Sequence, residues 1–407
     1  MLLRALSRYV NNFRGFSREV WILTLITFIN RAGTMVLPFL SKYLKEDLHF
    51  TYDQVGTIMV CFGAGSMAGS WIGGKLSDKI GFYKIMVFSL FTTGILFFFL
   101  QFITTFAGLC IAMFGIMVIA DMFRPAMFVS LGAYAKPENR TRALTLVRLA
   151  VNLGFAAGPA LGGLIIIGIG YKGLFWADGA SCIISILIFF FLVKEKKKPA
   201  VAETFVEHKG KRKSVFYDRA FMVFLFTSFS TAMIFFQLFT TLPLYHKEAY
   251  GLTEFHTGLL MSFNGLMVFF MEMPIVSYFE RKSINKIKII FWGSVCMAAS
   301  FYVLLINVWL GILLISIIFL TFGEMFCFPF SNSFAMGRAP RGQEGRYMAL
   351  YTMTFSLAHM VSSKTGMAII SNKSWGYNGN WLFMGSVGML SALALLLLQH
   401  LLKRETE

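Results

Sequence analysis

Residues 106–134 read FAGLCIAMFGIMVIADMFRPAMFVSLGAY. The run exceeds the roughly 17–25 apolar residues that a helix needs to cross a bilayer. It nevertheless keeps two charges near its middle, Asp121 and Arg124, three residues apart and therefore on one helix face. A charge at the centre of a spanning helix costs at least about 2.5–3.5 kcal/mol. A segment of this kind belongs inside a helical membrane bundle, where protein or water can receive the charges.

The same pattern extends in both directions. Apolar runs fall near 19–44, 53–77, 85–103, 106–134, 141–167, 173–193, 220–246, 254–280, 286–306, 308–336, 344–370 and 378–402. The chain is predicted to be an all-α membrane protein with twelve transmembrane helices in two pseudo-symmetric six-helix bundles. Composition agrees: of 407 residues, 57% are hydrophobic and 14% charged, against about 25% charged in soluble domains. The ten-residue alternating segments of a β-barrel are not visible. The five cysteines, Cys61, Cys110, Cys182, Cys296 and Cys327, all lie within spans without ligand spacing. They read as packing residues, with no disulfide, metal or cofactor expected.

Basic residues set the topology. Of 37 Lys and Arg, 28 fall on one side of the alternating loops. The positive-inside rule then places both termini in the cytoplasm of a multi-pass protein of the plasma (inner) membrane. The net charge of +17 is spread over cytoplasmic loops, which suits an anionic leaflet and offers no nucleic acid a single basic face. Arg4, Arg8, Arg14 and Arg18 interrupt the N-terminus, so no cleavable signal is expected there, and residues 2–16 are a candidate interfacial helix. The expected partners are membrane lipid, protons and a small-molecule substrate, with the chain a monomer.

The stretch 194–219 is the one long polar segment and reads as a cytoplasmic basic linker between an N-terminal bundle, 1–193, and a C-terminal bundle, 220–407. The halves repeat one another. Leu37-Pro38 and Thr51 to Gly56 in the first correspond to Leu242-Pro243 and Thr253 to Gly258 in the second. Asp121-Met-Phe-Arg-Pro125 corresponds to Glu324-Met-Phe-Cys-Phe-Pro329, and Pro137 to Pro340. A parallel repeat of this kind predicts a substrate site near the midplane between the halves.

Two motifs carry a family resemblance. Gly74-Lys-Leu-Ser-Asp78-Lys79-Ile-Gly81-Phe-Tyr-Lys84 resembles the G-x-L-x-D-R-x-G-R-K loop between spans 2 and 3 of the major facilitator superfamily, with Lys79 where Arg is commoner and Phe82 and Tyr83 in place of a basic pair. Gly154-Phe-Ala-Ala-Gly158-Pro159-Ala-Leu-Gly162-Gly163 in span 5 resembles its antiporter motif, with Thr145 at the position of the first glycine. A glycine every fourth residue gives a smooth ridge for close helix approach. The span 4 motif R-x-x-Q-G is matched by Arg124 alone, because Met127 and Phe128 replace Gln and Gly. The resemblance implies the twelve-helix fold of that superfamily and, through span 5, drug:proton antiport.

The remaining ionisable residues in spans are Arg31 beside Asn30, Arg148 with Asn152 one turn on, Glu272, Glu324 and His359. Basic groups cluster in the first half, while the two glutamates lie in the second. Glu324 is the leading proton-coupling candidate, followed by Glu272 and Asp121; Asp121 and Arg124 have the rival reading of a neutralised structural pair. Substrate-binding candidates are Asn30, Arg31, Arg124, Arg148, Asn152, Glu324 and His359. Asp178 and Lys364 are placed nearer the outer face, and Phe97-Phe98-Phe99 against lipid. No phosphate loop or catalytic motif is present, so an ion gradient rather than ATP is the expected driving force and the chain is not expected to be an enzyme. The reading is a proton-coupled transporter that exports drugs or metabolites by alternating access. Uptake of a zwitterion such as a short peptide is the alternative, and an intramembrane enzyme or sensor a remote one.

Overall fold

The computed structural model describes residues 15–136, 140–196, 215–306, 309–340 and 344–406, with the side chains at 78, 140–142, 145, 344–346 and 406 outside the description. The candidate interfacial helix, Pro137, the side chain of Asp78 and most of the linker lie outside the described residues. Within them the structure is helical, without a strand.

Nine spans are single helices: Tyr52–Ile80 (span 2), Phe82–Leu100 (3), Arg140–Ile169 (5), Lys172–Leu192 (6), Glu254–Arg281 (8), Lys286–Val303 (9), Gly311–Arg338 (10), Glu344–Ser371 (11) and Gly376–Thr406 (12). Three are broken. Span 1 is Arg18–Gly33 followed by Val36–Lys42, span 4 is Phe106–Ala120 followed by Phe123–Tyr134, and span 7 is Arg219–Phe236 followed by Thr241–Tyr250. Eleven spans pass as membrane helices on length and apolarity alone among the described residues. Span 11 is 28 residues long but more polar, and it turns His359, Ser362 and Ser363 inward, where they are buried.

Helix pairings repeat between the halves. Span 1 packs on spans 5 and 6, and span 3 on spans 4 and 6; span 7 packs on spans 11 and 12, and span 9 on spans 10 and 12. The internal repeat seen in sequence is thus a repeat of helix contacts. Two compact units result. Among the described residues, one holds those of Met1–Leu37, Gly65–Val201 and Glu254–Gly265; the other holds those of Pro38–Ala64, Ala202–Thr253 and Leu266–Glu407. The first half of span 8 therefore packs with span 5, where a Cβ on Gly258 would lie 2.2 Å from the Pro159 carbonyl oxygen and one on Gly265 would lie 2.7 Å from Ala156 Cα. The first half of span 2 packs with span 11, where Gly56 faces Met367 and Gly63 faces Met360. Lys364 also reaches Asp53 there at 2.6 Å.

Glycine decides the closest approaches. In the antiporter-like block, a Cβ on Gly154 would lie 2.6 Å from Arg31 Cβ, one on Gly158 3.0 Å from Ala32 O, and one on Gly163 2.7 Å from Glu254 O. Gly162 is buried. In the span 2–3 motif, Gly81 has φ +94° and starts span 3, a conformation that favours glycine. Gly74 instead lies within the span 2 helix with open space where its Cβ would point. The residues that matter sterically are Gly65, Gly69 and Gly73, four apart, whose Cβ atoms would meet span 4 backbone at 2.3–2.5 Å. Two expectations are corrected here. Asp178 is buried rather than interfacial, and Phe97 faces the core rather than lipid, although Phe99 is exposed.

Asp218 fastens one end of the second unit. It caps the first helix of span 7 by accepting from Phe221 N, and Arg338 donates to both of its oxygens at 2.8 Å. Arg338 also holds Glu405 at 2.5 Å. Burial opposes the charged carboxyl, yet the Arg338 and Phe221 hydrogen bonds outweigh it and hold Asp218 below the usual carboxylate range.

Two outcomes follow from these contacts. Gly69→Leu should lower the melting temperature of the purified protein, with about 1–3 kcal/mol lost to overpacking, whereas Gly74→Ala should leave it unchanged, as scanning fluorimetry will show. Asp218→Asn should be less stable than the wild type at neutral pH. Because the folded-state pKa is depressed, that difference persists above the ordinary carboxylate pKa near ~4 and disappears as pH falls through the lower folded value. Melting curves taken across pH check it.

Candidate functional site

The break in span 1 organises the first unit. Ser17 caps the helix Arg18–Gly33, which ends where Thr34 leaves helical geometry at ψ 75°. Gly33 permits contact with span 6, since a Cβ there would fall 1.9 Å from Ser181 Oγ. The chain re-enters helix at Val36 with the Met35 and Val36 amides turned toward span 6, Met35 N also reaching Gly33 O at 2.7 Å. Asp178 accepts from both, from Met35 N at 2.7 Å and Val36 N at 3.2 Å. One turn before the break, Asn30 Nδ2 points to Cys182 Sγ at 3.4 Å, and Ser185 Oγ donates to Ile26 O at 3.2 Å.

Arg31 projects from this segment, half-buried, with its guanidinium 5.6 Å from the centre of the Phe155 ring. Asp121 stands at the break in span 4, where Ser89 Oγ donates to the carbonyls of Ile119 and Ala120 at 2.6 and 3.2 Å. The Asp121 carboxylate accepts a short hydrogen bond from Ser66 Oγ. Both Arg31 and Arg124 act electrostatically upon it. The structure thus brings Arg31, Asp121 and Arg124 together and adds Ser66, which the sequence reading missed. Arg124 and Arg148 are exposed and Asn152 is half-buried.

In the second unit Glu272 is 7% exposed and lies two residues before Pro274 inside the span 8 helix. Glu324 is half-buried in span 10, one turn before Phe328. An aromatic face continues from there. Phe328 meets Phe235 at 5.1 Å and Phe355 at 5.3 Å, and Phe355 meets Tyr351 at 5.4 Å. His359, one turn beyond Phe355, is clasped by Phe62 at 5.3 Å and Phe236 at 4.5 Å. Its Nε2 is buried without a hydrogen-bond partner among the described residues. Aromatic rings beside a carboxylate form a surface that accepts flat apolar groups and cations alike.

The break in span 7 carries a network that the sequence reading also missed. Gln237 donates to Ser362 Oγ at 2.8 Å and accepts from Asn380 Nδ2 at 3.0 Å and from Thr241. The signal was available in the Gln237–Thr241 spacing of one helical turn. Among the described residues no group of three or more His, Cys, Asp or Glu is placed to hold a metal ion.

Residues 20–363 match the family model described as Major Facilitator Superfamily, and the chain belongs to that superfamily. It is a multi-pass membrane transporter. It is 24% identical over 363 residues to the uncharacterized MFS-type transporter YttB of Bacillus subtilis, covering 87% of this chain and 89% of that one. It is 24% identical over 183 residues to the quinolone resistance protein NorA of Staphylococcus aureus, covering 45% and 47%. Among solved structures, a POT family transporter in complex with 5-aminolevulinic acid aligns with a TM-score of 0.80 at 16% identity over 95% of this chain and 96% of that one. The nucleoside transporter NupG aligns at 0.72 and 13% identity over 94% and 100%. These likenesses are of fold.

His359→Phe should leave the melting temperature unchanged or raise it, because it removes a buried nitrogen whose unsatisfied burial costs about 1–3 kcal/mol. A fall of several degrees in thermal unfolding would show that the imidazole is engaged.

Proposed function

We propose that this transporter is proton-coupled and exports amphipathic organic compounds by alternating access, as a drug or metabolite antiporter. The observation that carries the reading is the ionisable set held inside the spans: Asp121 with Ser66, Arg31 and Arg124 in one unit, and Glu272 and Glu324 in the other. Charges kept at membrane depth are costly and mark ion or substrate pathways. Glu324 is assigned as the principal proton carrier, with Glu272 and Asp121 behind it. The aromatic face around Phe328 and Phe355 suits a flat, apolar solute. Support for export comes from the glycine block of span 5, which seats span 1 at Arg31 and Ala32, and from similarity over part of the chain to a quinolone resistance protein.

Residues assigned to substrate contact are Arg31, Arg124, Arg148, Asn152, Glu324 and His359. Asn30 faces span 6 and is assigned a supporting part. In this reading both termini are cytoplasmic, the protein resides in the plasma (inner) membrane, the driving force is the proton gradient with no bound cofactor, and the monomer is the working unit. A second reading, uptake of a zwitterion, is favoured by the exposed positions of Arg124 and Arg148, a residue type that suits a carboxylate.

Proteoliposomes with an imposed pH gradient separate these readings. Ethidium should move against the proton gradient, and Glu324→Gln should reduce that flux by more than about tenfold, the scale for loss of an essential proton-transfer group. Unchanged gradient-driven flux in Glu324→Gln would remove it as carrier. Accumulation of dialanine driven by external acid, without competition from ethidium, would replace export by uptake.

A further inference from the structure

We propose that Asp178 is a proton-binding site that controls the break in span 1. The inference rests on the proton-coupled reading for its place in transport and adds a residue outside the carboxylates assigned there.

Asp178 lies in span 6 and is 3% exposed. Both of its oxygens are occupied by main-chain donors, Met35 N at 2.7 Å and Val36 N at 3.2 Å. Those donors exist because span 1 is interrupted: the amides that restart a helix have no carbonyl one turn behind them. Met35 N shares its hydrogen with Gly33 O at 2.7 Å, so the Val36 amide is the one that rests on Asp178. A carboxylate can accept at both oxygens. A carboxylic acid turns one oxygen into a donor, so one of the two N–H groups then faces an O–H. In the membrane interior no bulk water takes over the lost bond. Proton binding at Asp178 therefore loosens the break, and by linkage a loosened break binds the proton more readily.

The break also reaches the charged cluster. Arg31 sits four residues before Met35, and the span 5 glycines at 154 and 158 lie against Arg31 and Ala32. On the other side, Gly33 is pressed against Ser181 of span 6. Span 1 is thus held between two neighbours around its break, and displacement there carries Arg31 relative to Asp121. Asp178 acts through main chain on Arg31, which makes it a positioning residue without direct contact with solute.

The titratable and charged groups around it are few. Cys182 lies one turn along its own helix and interacts electrostatically with Asp178 and Arg31. Span 1 contributes Arg31, behind which stand Asp121 and Arg124 of span 4. Spans 3 and 5 meet this stretch of span 6 through Gly94, Ile165 and Ile169, which bring no titratable side chain.

Hydrogen exchange of the full chain in nanodiscs tests the proposal without a substrate. Protection of peptides covering residues 30–40, corrected for intrinsic exchange, is followed by mass spectrometry from acid to mildly alkaline pH. Protection in the wild type should fall about tenfold toward acid as one amide loses its acceptor. Asp178→Asn should show no such transition, and Asp178→Glu should keep it at a displaced midpoint. A flat wild-type profile, or an unaltered transition in Asp178→Asn, overturns the site. Should Asp178→Asn not fold, an undisplaced midpoint in Asp178→Glu overturns it. Glu324→Gln should retain the transition. Loss of proton-driven flux as an explanation of transport would therefore sink the functional reading while leaving the exchange result intact.

Discussion

Helices in lipid gain little by hiding apolar side chains from one another, because the surrounding hydrocarbon is equally apolar. Their association depends on how closely backbones can approach and on which polar groups they satisfy. In this protein the approach is set by glycine. Spans 2 and 4, 1 and 5, 1 and 6, and 5 and 8 all meet where a Cβ would strike neighbouring main chain or side chain. In the first unit those contacts position polar groups, since the hydrogen bond from Ser66 to Asp121 requires spans 2 and 4 to be that near.

Broken helices are the second constraint. Each interruption exposes amides or carbonyls that lipid cannot solvate. The structure answers each with a side chain from another span: Asp178 for span 1, Ser89 for span 4, and Ser362, which donates to Met233 O, for span 7. The interruptions fall beside the functional candidates. Arg31 precedes one break and Asp121 occupies another. Irregular backbone and ionisable side chains thus share the same neighbourhoods, as expected where a protein lines a path for polar cargo.

The fold was legible because its signals are long. Runs of twenty apolar residues, basic loops on alternate sides and a repeat of motifs are averaged over many positions, so single errors do not matter. The intramembrane charges were legible for the opposite reason: each is so costly that it stands out alone. What escaped was pairwise and long-range. Asp178 looked interfacial because its position near a span end says nothing about amides 142 and 143 residues away. Ser66 is an ordinary small residue until span 4 is laid against it. Gly74 stood within a recognised motif, while the sterically essential Gly65, Gly69 and Gly73 stood just before it. A four-residue glycine rhythm was visible there, but rhythm alone does not say which neighbour will occupy the groove.

Spans 2 and 8 are each an unbroken helix, Tyr52–Ile80 and Glu254–Arg281, yet their first and second halves are assigned to different compact units, with the changeovers at Ala64/Gly65 and Gly265/Leu266. Each is therefore a rod shared by two bodies. Within its own unit each leading half is held by close packing, that of span 2 against span 11 and that of span 8 against span 5. Glycine sits at both changeovers, so the places where the rods are thinnest are also where their loyalty changes.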